Sequence, residues 1–388
     1  LAKTIEEINE RIKKGEAVVL TADEMTRFVR EEGAAQASKK VDVVTTGTFG
    51  PMCSSGAFIN LGHSDPPMKM HRVWLNDVPV CADLAAVDIY IGATALSDTE
   101  GMNYGGGHLI EDLLKGKWLR LKASAIPTDC YPRREIQTYI NLESVNEAFL
   151  FNPRNAYQNY VCATNGSDRT LYTYMGVLIP GYGNVTYSSA GALSPLLNDP
   201  YYRTIGVGTR VFLGGAPGYV AWHGTQHRPS VERTPRGVPV GPGGTLSLIA
   251  DMKKMSHEFI RAARFHRYGV SLYVGIGVPI PILDEEMASF TGVGDDEIYT
   301  YIYDYSEPTR SRKPLKKVSY AELHSGNVEI MGKKAITAPI SSIRMAKRIA
   351  QVLRDWIKSG EFLLTEPVQK LPTEGTLNTL EIRDRGEG

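Results

Sequence analysis

Residues 41–67, VDVVTTGTFGPMCSSGAFINLGHSDPP, constrain the fold of this chain more than any other stretch. The run 41–46 is short, apolar and β-branched, which predicts a buried strand. A glycine-rich turn follows at once, and a strand feeding such a turn is where α/β proteins place their chemistry. The turn holds one thiol, Cys53, among Gly47, Gly50, Ser54, Ser55 and Gly56, none of which has a large side chain to bury sulfur. His63 and Asp65 come next, ahead of two prolines. Glycine permits tight backbone paths from which peptide N–H groups converge on one point, so Cys53 reads as a reactive thiol. Inert burial is the competing reading, because free cysteine often packs as a small hydrophobe.

The remaining pattern alternates helical and strand periods. Residues 4–14 and 21–32 carry apolar side chains at helical spacing, and Thr21 with Glu24 forms a capping box. Residues 87–93 and 118–125 read as strands around a helix at 107–115. Further helices are predicted at 251–265 and 341–359, with a strand at 271–278 between them. The fold class is therefore α/β, with mixed sheets flanked by helices and a glycine-rich strand and loop region in the middle. The composition shifts suggest an α/β region over 1–165 that bears the cysteine motifs and a loop-rich strand region over 166–250. A second α/β region completes the core over 251–362, and 363–388 is a tail without periodicity, read as a surface extension or frayed end.

The 388 residues contain 42% hydrophobic side chains, enough for a sizeable core. Lys and Arg number 43, as do Asp and Glu, and this balance argues against nucleic acid or an anionic membrane as the main partner. No apolar run reaches bilayer length and the N-terminus is a charged amphipathic helix, so a cytoplasmic location is expected. Cys53, Cys81, Cys130 and Cys162 are too few and too far apart for a disulfide scaffold. Cys81, in an apolar setting, is expected in the core; Cys162 is ambiguous.

A second chemical centre is PTDCYPRR, residues 127–134. Its prolines predict a stiff turn, and Arg133 and Arg134 beside Cys130 could activate a thiol or grip a carboxylate. A solvated polar turn is the equal alternative. In YGGGHLIED, Gly106 and Gly107 open a helix whose N–H groups could cradle an anion, with His108 in the first turn. Asn155 and Gln158 belong to an amide- and tyrosine-rich segment able to line a polar pocket. Neither G-x-x-x-x-G-K-[ST] nor G-x-G-x-x-G occurs, so no nucleotide fingerprint is available, and there is no G-x-S-x-G elbow. His223 and His227 have a metal-like spacing in a coil-like setting, which disfavours zinc.

The strings TTGTFGPMCSSGAFINLGHSDPP, YGGGHLIEDLLKGK, PTDCYPRR, RNAYQNY and the opening KTIEEINERIKKGEAVVLTADEM resemble the homocysteine biosynthesis family, over most of residues 3–360. The resemblance implies sulfur incorporation into L-aspartate semialdehyde to give homocysteine, through a cysteine persulfide. It maps the family's functional cysteines onto Cys53 and Cys130. Motif position assigns the roles expected here: sulfur carriage and release by the two thiols, proton handling by His63, Asp65 or His108, and carboxylate anchoring by Arg133 or Arg134 with Gly106 and Gly107. Asn155 and Gln158 are added to the substrate-binding set. Both sulfurs should then face one pocket. No bound cofactor is expected; electrons would come from a ferredoxin-like iron–sulfur protein, and a homodimer is expected for a protein of this size. Many archaeal members continue into two CBS modules, and regulation through such modules is not expected for this sequence. Two rivals stay open: an iron–sulfur or metal protein using the cysteines as ligands, and a CoA-transferase-like acyl-transfer enzyme or binding module.

Overall fold

The computed structural model describes residues 2–383, a mixed α/β fold. The N-terminal helices form where the capping signals place them. In helix Ile5–Lys13, Thr4 accepts from the Glu7 N–H and the Glu7 carboxylate returns the bond to the Thr4 N–H, while Ile5, Ile8 and Ile12 point into the core. Helix Ala22–Glu32 begins after the Thr21 and Glu24 box. Helix Ile343–Lys358 buries Ala346, Ile349, Ala350, Leu353 and Ile357 along one stripe. It packs so closely that a Cβ on Gly47 would lie 2.1 Å from the Ala346 carbonyl oxygen, which is why the strand before Cys53 must pass into glycine.

Two sheets organise the molecule. The larger has nine strands, and among them Gly56–Asn60 lies between Glu147–Asn155 and Asp88–Gly92, while Thr48–Pro51 pairs with Gly269–Gly277 near the other end. The second has six strands in the order Pro314–Ser319, Tyr299–Asp304, Cys162–Thr164, Asn184–Tyr187, Lys333–Pro339, Asn327–Ile330. Each sheet draws on distant parts of the sequence. A four-stranded antiparallel sheet carries Leu119–Ser124 and Glu135–Ile140, and a three-stranded one carries Val43–Thr45.

The structure corrects two expectations. The stretch 251–265 is a 3₁₀ turn at Met252–Lys254 followed by strand Ile260–Phe265, not a helix. Its buried positions Ile260 and Ala263 are three apart, which imitates a helical stripe. Pairing with Gly269–Gly277 across a turn at Arg267, whose φ is 56°, overrides that local signal. Cys81 is exposed rather than in the core, since its backbone bridges Tyr90 and its side chain faces outward, whereas Cys162 is fully buried in a central strand. The tail after Glu366 runs over the surface, exposed at most positions but held where Gln369–Lys370 pairs with Gly206–Val207 and Leu371 is buried. Residues 384–388 of that expected tail lie outside the described residues. No described helix is long and apolar enough to cross a membrane.

Candidate active site

The Cys53 turn spans two strands that belong to different ends of the large sheet. Its anchors are specific. Met52 N–H donates to the Leu272 carbonyl at 2.8 Å, and Ala93 N–H donates to the Ser55 carbonyl at 2.9 Å. Buried Asn152 is the hub: its carbonyl oxygen accepts from Ser54 Oγ at 2.7 Å and from the Arg154 N–H at 2.9 Å, and its amide donates to Ser55 Oγ at 2.6 Å. One side chain thereby fixes the cysteine turn against the segment that carries Arg154. The glycines flanking Cys53 serve close packing, as a Cβ on Gly56 would meet the Tyr90 ring at 2.1 Å and one on Gly50 would meet Ser341 Oγ at 2.5 Å.

Cys53 is half-buried and opens on a cavity of about 250 Å³. Ser271 Oγ donates to its sulfur at 3.3 Å and so fixes where the sulfur sits. The cavity lies where the chain crosses between the two large sheets. Strand Thr48–Pro51 and the Arg154–Tyr160 segment form one side, and the loops leaving strands Asn184–Tyr187 and Lys333–Pro339 form the other. Tyr174, in the two-residue turn joining Leu171–Thr173 to Gly176–Leu178, and Tyr268 complete it.

Two features give this cavity chemistry. The first is Arg154, whose guanidinium has no hydrogen bond or carboxylate partner among the described residues and whose Nε is buried without one. A buried charged donor left unmatched costs free energy, so a guanidinium held in a cavity is suited to an anion that arrives from outside. The second is a row of three phenols. Tyr160 Oη and Tyr174 Oη are 3.2 Å apart, and Tyr174 Oη and Tyr305 Oη 2.9 Å. Three hydroxyls bring three protons and the two bonds between them use two, so one proton is left over for a partner outside the row. Burial, reinforced by the neighbouring phenols, holds Tyr160 and Tyr305 far above the ordinary tyrosine value. Burial likewise pushes Tyr157 up to about 12, against the opposing pull of Arg154. These phenols therefore keep their protons at neutral pH and are available as hydrogen-bond donors.

The other sequence-selected residues lie elsewhere. His63, Asp65, Cys130 and Arg133 do come together. Arg133 Nε donates to the Pro66 carbonyl at 3.0 Å and its Nη2 to that of Asp65, and the His63 and Tyr131 rings stack 6.1 Å apart. Cys130 is exposed there, 3.5 Å from Thr128 Oγ1. This group follows strand Gly56–Asn60 whereas Cys53 precedes it, so the two thiols sit at opposite ends of a strand ~15 Å long at the usual rise per residue. Cys130 does not line the cavity on which Cys53 opens. Arg134 is exposed, and its carbonyl pairs with the Ala125 N–H at 2.8 Å.

Gly106 and Gly107 form no anion cradle. Their N–H groups donate to the Ala95 and Ala93 carbonyls at 2.8 and 2.9 Å, and a Cβ at either would stand 1.8 Å from the Gly92 oxygen or 2.2 Å from the Ser271 oxygen. These glycines let helix Gly106–Leu114 lie directly on the sheet. His108 Nδ1 accepts the Gly105 N–H at 3.2 Å and its ring stacks on Tyr104, outside the cavity. Gln158 is fully buried, donating to the Leu196 and Pro200 carbonyls and accepting from Tyr202 Oη and the Gly244 N–H. Asn155, also buried, accepts from Asn152. Both amides brace the scaffold rather than line the cavity. Arg154 escaped sequence reasoning although it opens the RNAYQNY string, because nothing local distinguishes it from Arg133 or Arg134.

Among the described residues no three His, Cys, Asp or Glu side chains gather into a metal-holding group. The four cysteines occupy four separate settings: cavity, outer sheet surface, surface turn and core.

Comparison with known proteins supplies the lineage. Residues 17–364 match the family model described as homocysteine biosynthesis enzyme, sulfur-incorporation. The chain is 51% identical over 379 residues to the L-aspartate semialdehyde sulfurtransferase of Methanosarcina acetivorans, covering 98% of this chain and 74% of that protein. It is 52% identical over 386 residues to the protein of that name from Methanocaldococcus jannaschii, covering 96% and 74%. An uncharacterised protein of Methanothermobacter thermautotrophicus is 29% identical over 338 residues, covering 84% and 73%. No solved structure matches the chain significantly. The family match and the two relatives, each spanning nearly the whole chain, agree with the thiol-bearing cavity: this chain belongs to the family of sulfur-incorporating homocysteine biosynthesis enzymes.

Proposed function

We propose that the protein transfers sulfur to the aldehyde carbon of L-aspartate semialdehyde, forming L-homocysteine, with Cys53 as the sulfur-bearing nucleophile. The observation that carries this reading is that Cys53, alone of the four cysteines, lines the cavity, and that it shares it with the unpartnered Arg154. A short aldehyde that also carries a carboxylate matches that pair. The carboxylate binds Arg154, and the carbonyl carbon is thereby presented to the sulfur on Cys53.

The chemistry has a fixed balance. An aldehyde, hydrogen sulfide, two electrons and two protons become a thiol and water. If the sulfur arrives as the outer atom of a Cys53 persulfide, it is two electrons more oxidised than sulfide, and cleaving the S–S bond takes two further electrons and two protons. The persulfide anion attacks C4 and the C–S bond forms; the carbonyl oxygen takes one proton from the Tyr160 end of the phenol row and a second from solvent and leaves as water. Two electrons and a proton then reduce C4, and two further electrons and two protons cleave the S–S bond to release the homocysteine thiol and the Cys53 thiol. Tyr160 recovers its proton through Tyr174 and Tyr305. The electrons come from an external donor of the ferredoxin type. Cys130 acts at the surface, where its exposure lets it receive sulfur from a donor or resolve a persulfide presented by another chain.

The test is homocysteine formation from aspartate semialdehyde, polysulfide as the sulfane-sulfur donor that loads Cys53, and a strong one-electron reductant. Wild-type protein should turn over, and Cys53→Ser should be inactive with an unchanged melting temperature. Wild-type rates from Cys53→Ser would overturn the scheme.

A further inference from the structure

We infer that the cavity reads the substrate's carboxylate and not its α-amino group, so that the protein also thiolates short semialdehydes lacking the amine, with succinic semialdehyde giving 4-sulfanylbutanoate. The inference rests on the sulfur-transfer reading and narrows it to a substrate class: aldehydes of about four carbons with a terminal carboxylate.

The lining is asymmetric in charge. Arg154 is its cation, and among the described residues no Asp or Glu lines it. An α-ammonium entering with the aldehyde finds neutral hydroxyls, amides and phenol faces. Most of those are already committed. Ser189 and Ser194 bond each other at 3.1 Å, and Ser341 Oγ donates to the Ser188 carbonyl. Asn159 spends its amide N–H groups on the Pro239 and Tyr299 carbonyls, while its oxygen accepts from the Tyr160 N–H and Tyr320 Oη. A site discriminates strongly against a missing group only when that group's partners are left unpaired without it. Here no partner is stranded when the amine is absent. Removing the carboxylate, by contrast, leaves the Arg154 guanidinium in the cavity without its counter-charge, a loss that truncation of one partner of a charged pair makes large.

The balance is that of the parent reaction: the aldehyde oxygen leaves as water, one C–S bond forms and the S–S bond breaks, with four electrons from the added reductant and four protons from solvent, and Cys53 returns as the thiol. The experiment compares kcat/KM for three aldehydes, with polysulfide as sulfur donor, titanium(III) as electron donor and products identified by mass spectrometry. The three are L-aspartate semialdehyde, succinic semialdehyde and 3-aminopropanal, the last lacking the carboxylate. Succinic semialdehyde should fall within about 30-fold of aspartate semialdehyde, and 3-aminopropanal at least ~100-fold below it. Arg154→Gln should raise KM for both acids by more than about 10-fold and leave 3-aminopropanal unchanged, and Arg154→Lys should restore part of the loss. A gap wider than 30-fold for succinic semialdehyde, or unaltered KM values in Arg154→Gln, overturns the inference while aspartate semialdehyde turnover leaves the sulfur-transfer reading standing. No turnover of any aldehyde by wild-type protein overturns that reading itself.

Discussion

Tyr174 is the middle member of the phenol row, bonded on both sides, and it occupies a hairpin turn that reaches over the cavity. Replacing it with Phe keeps the ring and cuts the row in two. The expected outcome of Tyr174→Phe is a kcat lowered ~100-fold, the lower range for loss of a positioned proton donor, with KM for aspartate semialdehyde little changed. A solvent deuterium isotope effect present in wild type and altered in the variant separates proton delivery from loss of packing. Cys53 and Arg154 show how unevenly single residues announce themselves. Cys53 could be picked out because thiols are rare and its neighbours are small. Arg154 could not, because 43 basic side chains compete for the same role and only spatial position distinguishes them.

Helix Gly106–Leu114 was legible as an element, and its glycines suggested an anion site. Packing gives those glycines a different purpose. Gly107→Ala drives a Cβ to 2.2 Å from the Ser271 carbonyl oxygen, beside the residue whose hydroxyl holds the Cys53 sulfur. Overpacking of this kind costs about 1–3 kcal/mol, and the strand shift should lower both the urea midpoint and sulfur-transfer activity; Gly116→Ala, open in space but at a φ of 72°, should affect stability alone. His108 adds a pH dependence to the same helix. Burial lowers its imidazole below the usual value, outweighing Glu111, Asp112 and Glu100, with Arg264 acting in the same direction as burial. The folded state therefore binds this proton less readily than the unfolded chain. Its contribution is fully present above the ordinary histidine value of about 6.5 and is lost as pH falls through the lowered one. Denaturation at pH 7.5 and 5.5 should show a smaller loss for His108→Asn than for wild type.

Across the whole molecule the cavity is a junction: strands of both large sheets end at it, and the segment from Arg154 to Tyr160 carries the chain from one sheet to the other. The C-terminal segment helps hold one end of that assembly. Gln369–Lys370 adds a strand to Gly206–Val207, Leu371 is buried, and the Pro372 carbonyl lies 2.9 Å from His227 Nε2. Truncation after Glu366 removes all three. Burying one leucine alone is worth about 1.5–3 kcal/mol, so calorimetry should show a melting temperature lower by about 2–4 °C, with activity at 25 °C retained because no cavity residue is lost. Unchanged melting would mean the segment contributes nothing to the fold.

Local chemistry was enough to place the capped helices, the strand before Cys53, the α/β class and the family, because caps, periodicity and long unusual strings act over neighbouring residues. The strand at 260–265 was misread as helix because its pairing partner, not its own spacing, sets its shape. The composition of the cavity was likewise out of reach. Arg154, Tyr160 and Tyr174 share the cavity with Cys53, and Asn152 holds its turn, only because two sheets built from distant segments abut there, while Cys130, alike in sequence character, lies in an exposed turn outside it. Burial and the pairing of buried polar groups are settled among residues far apart in the chain, and so they appear only when the fold is closed.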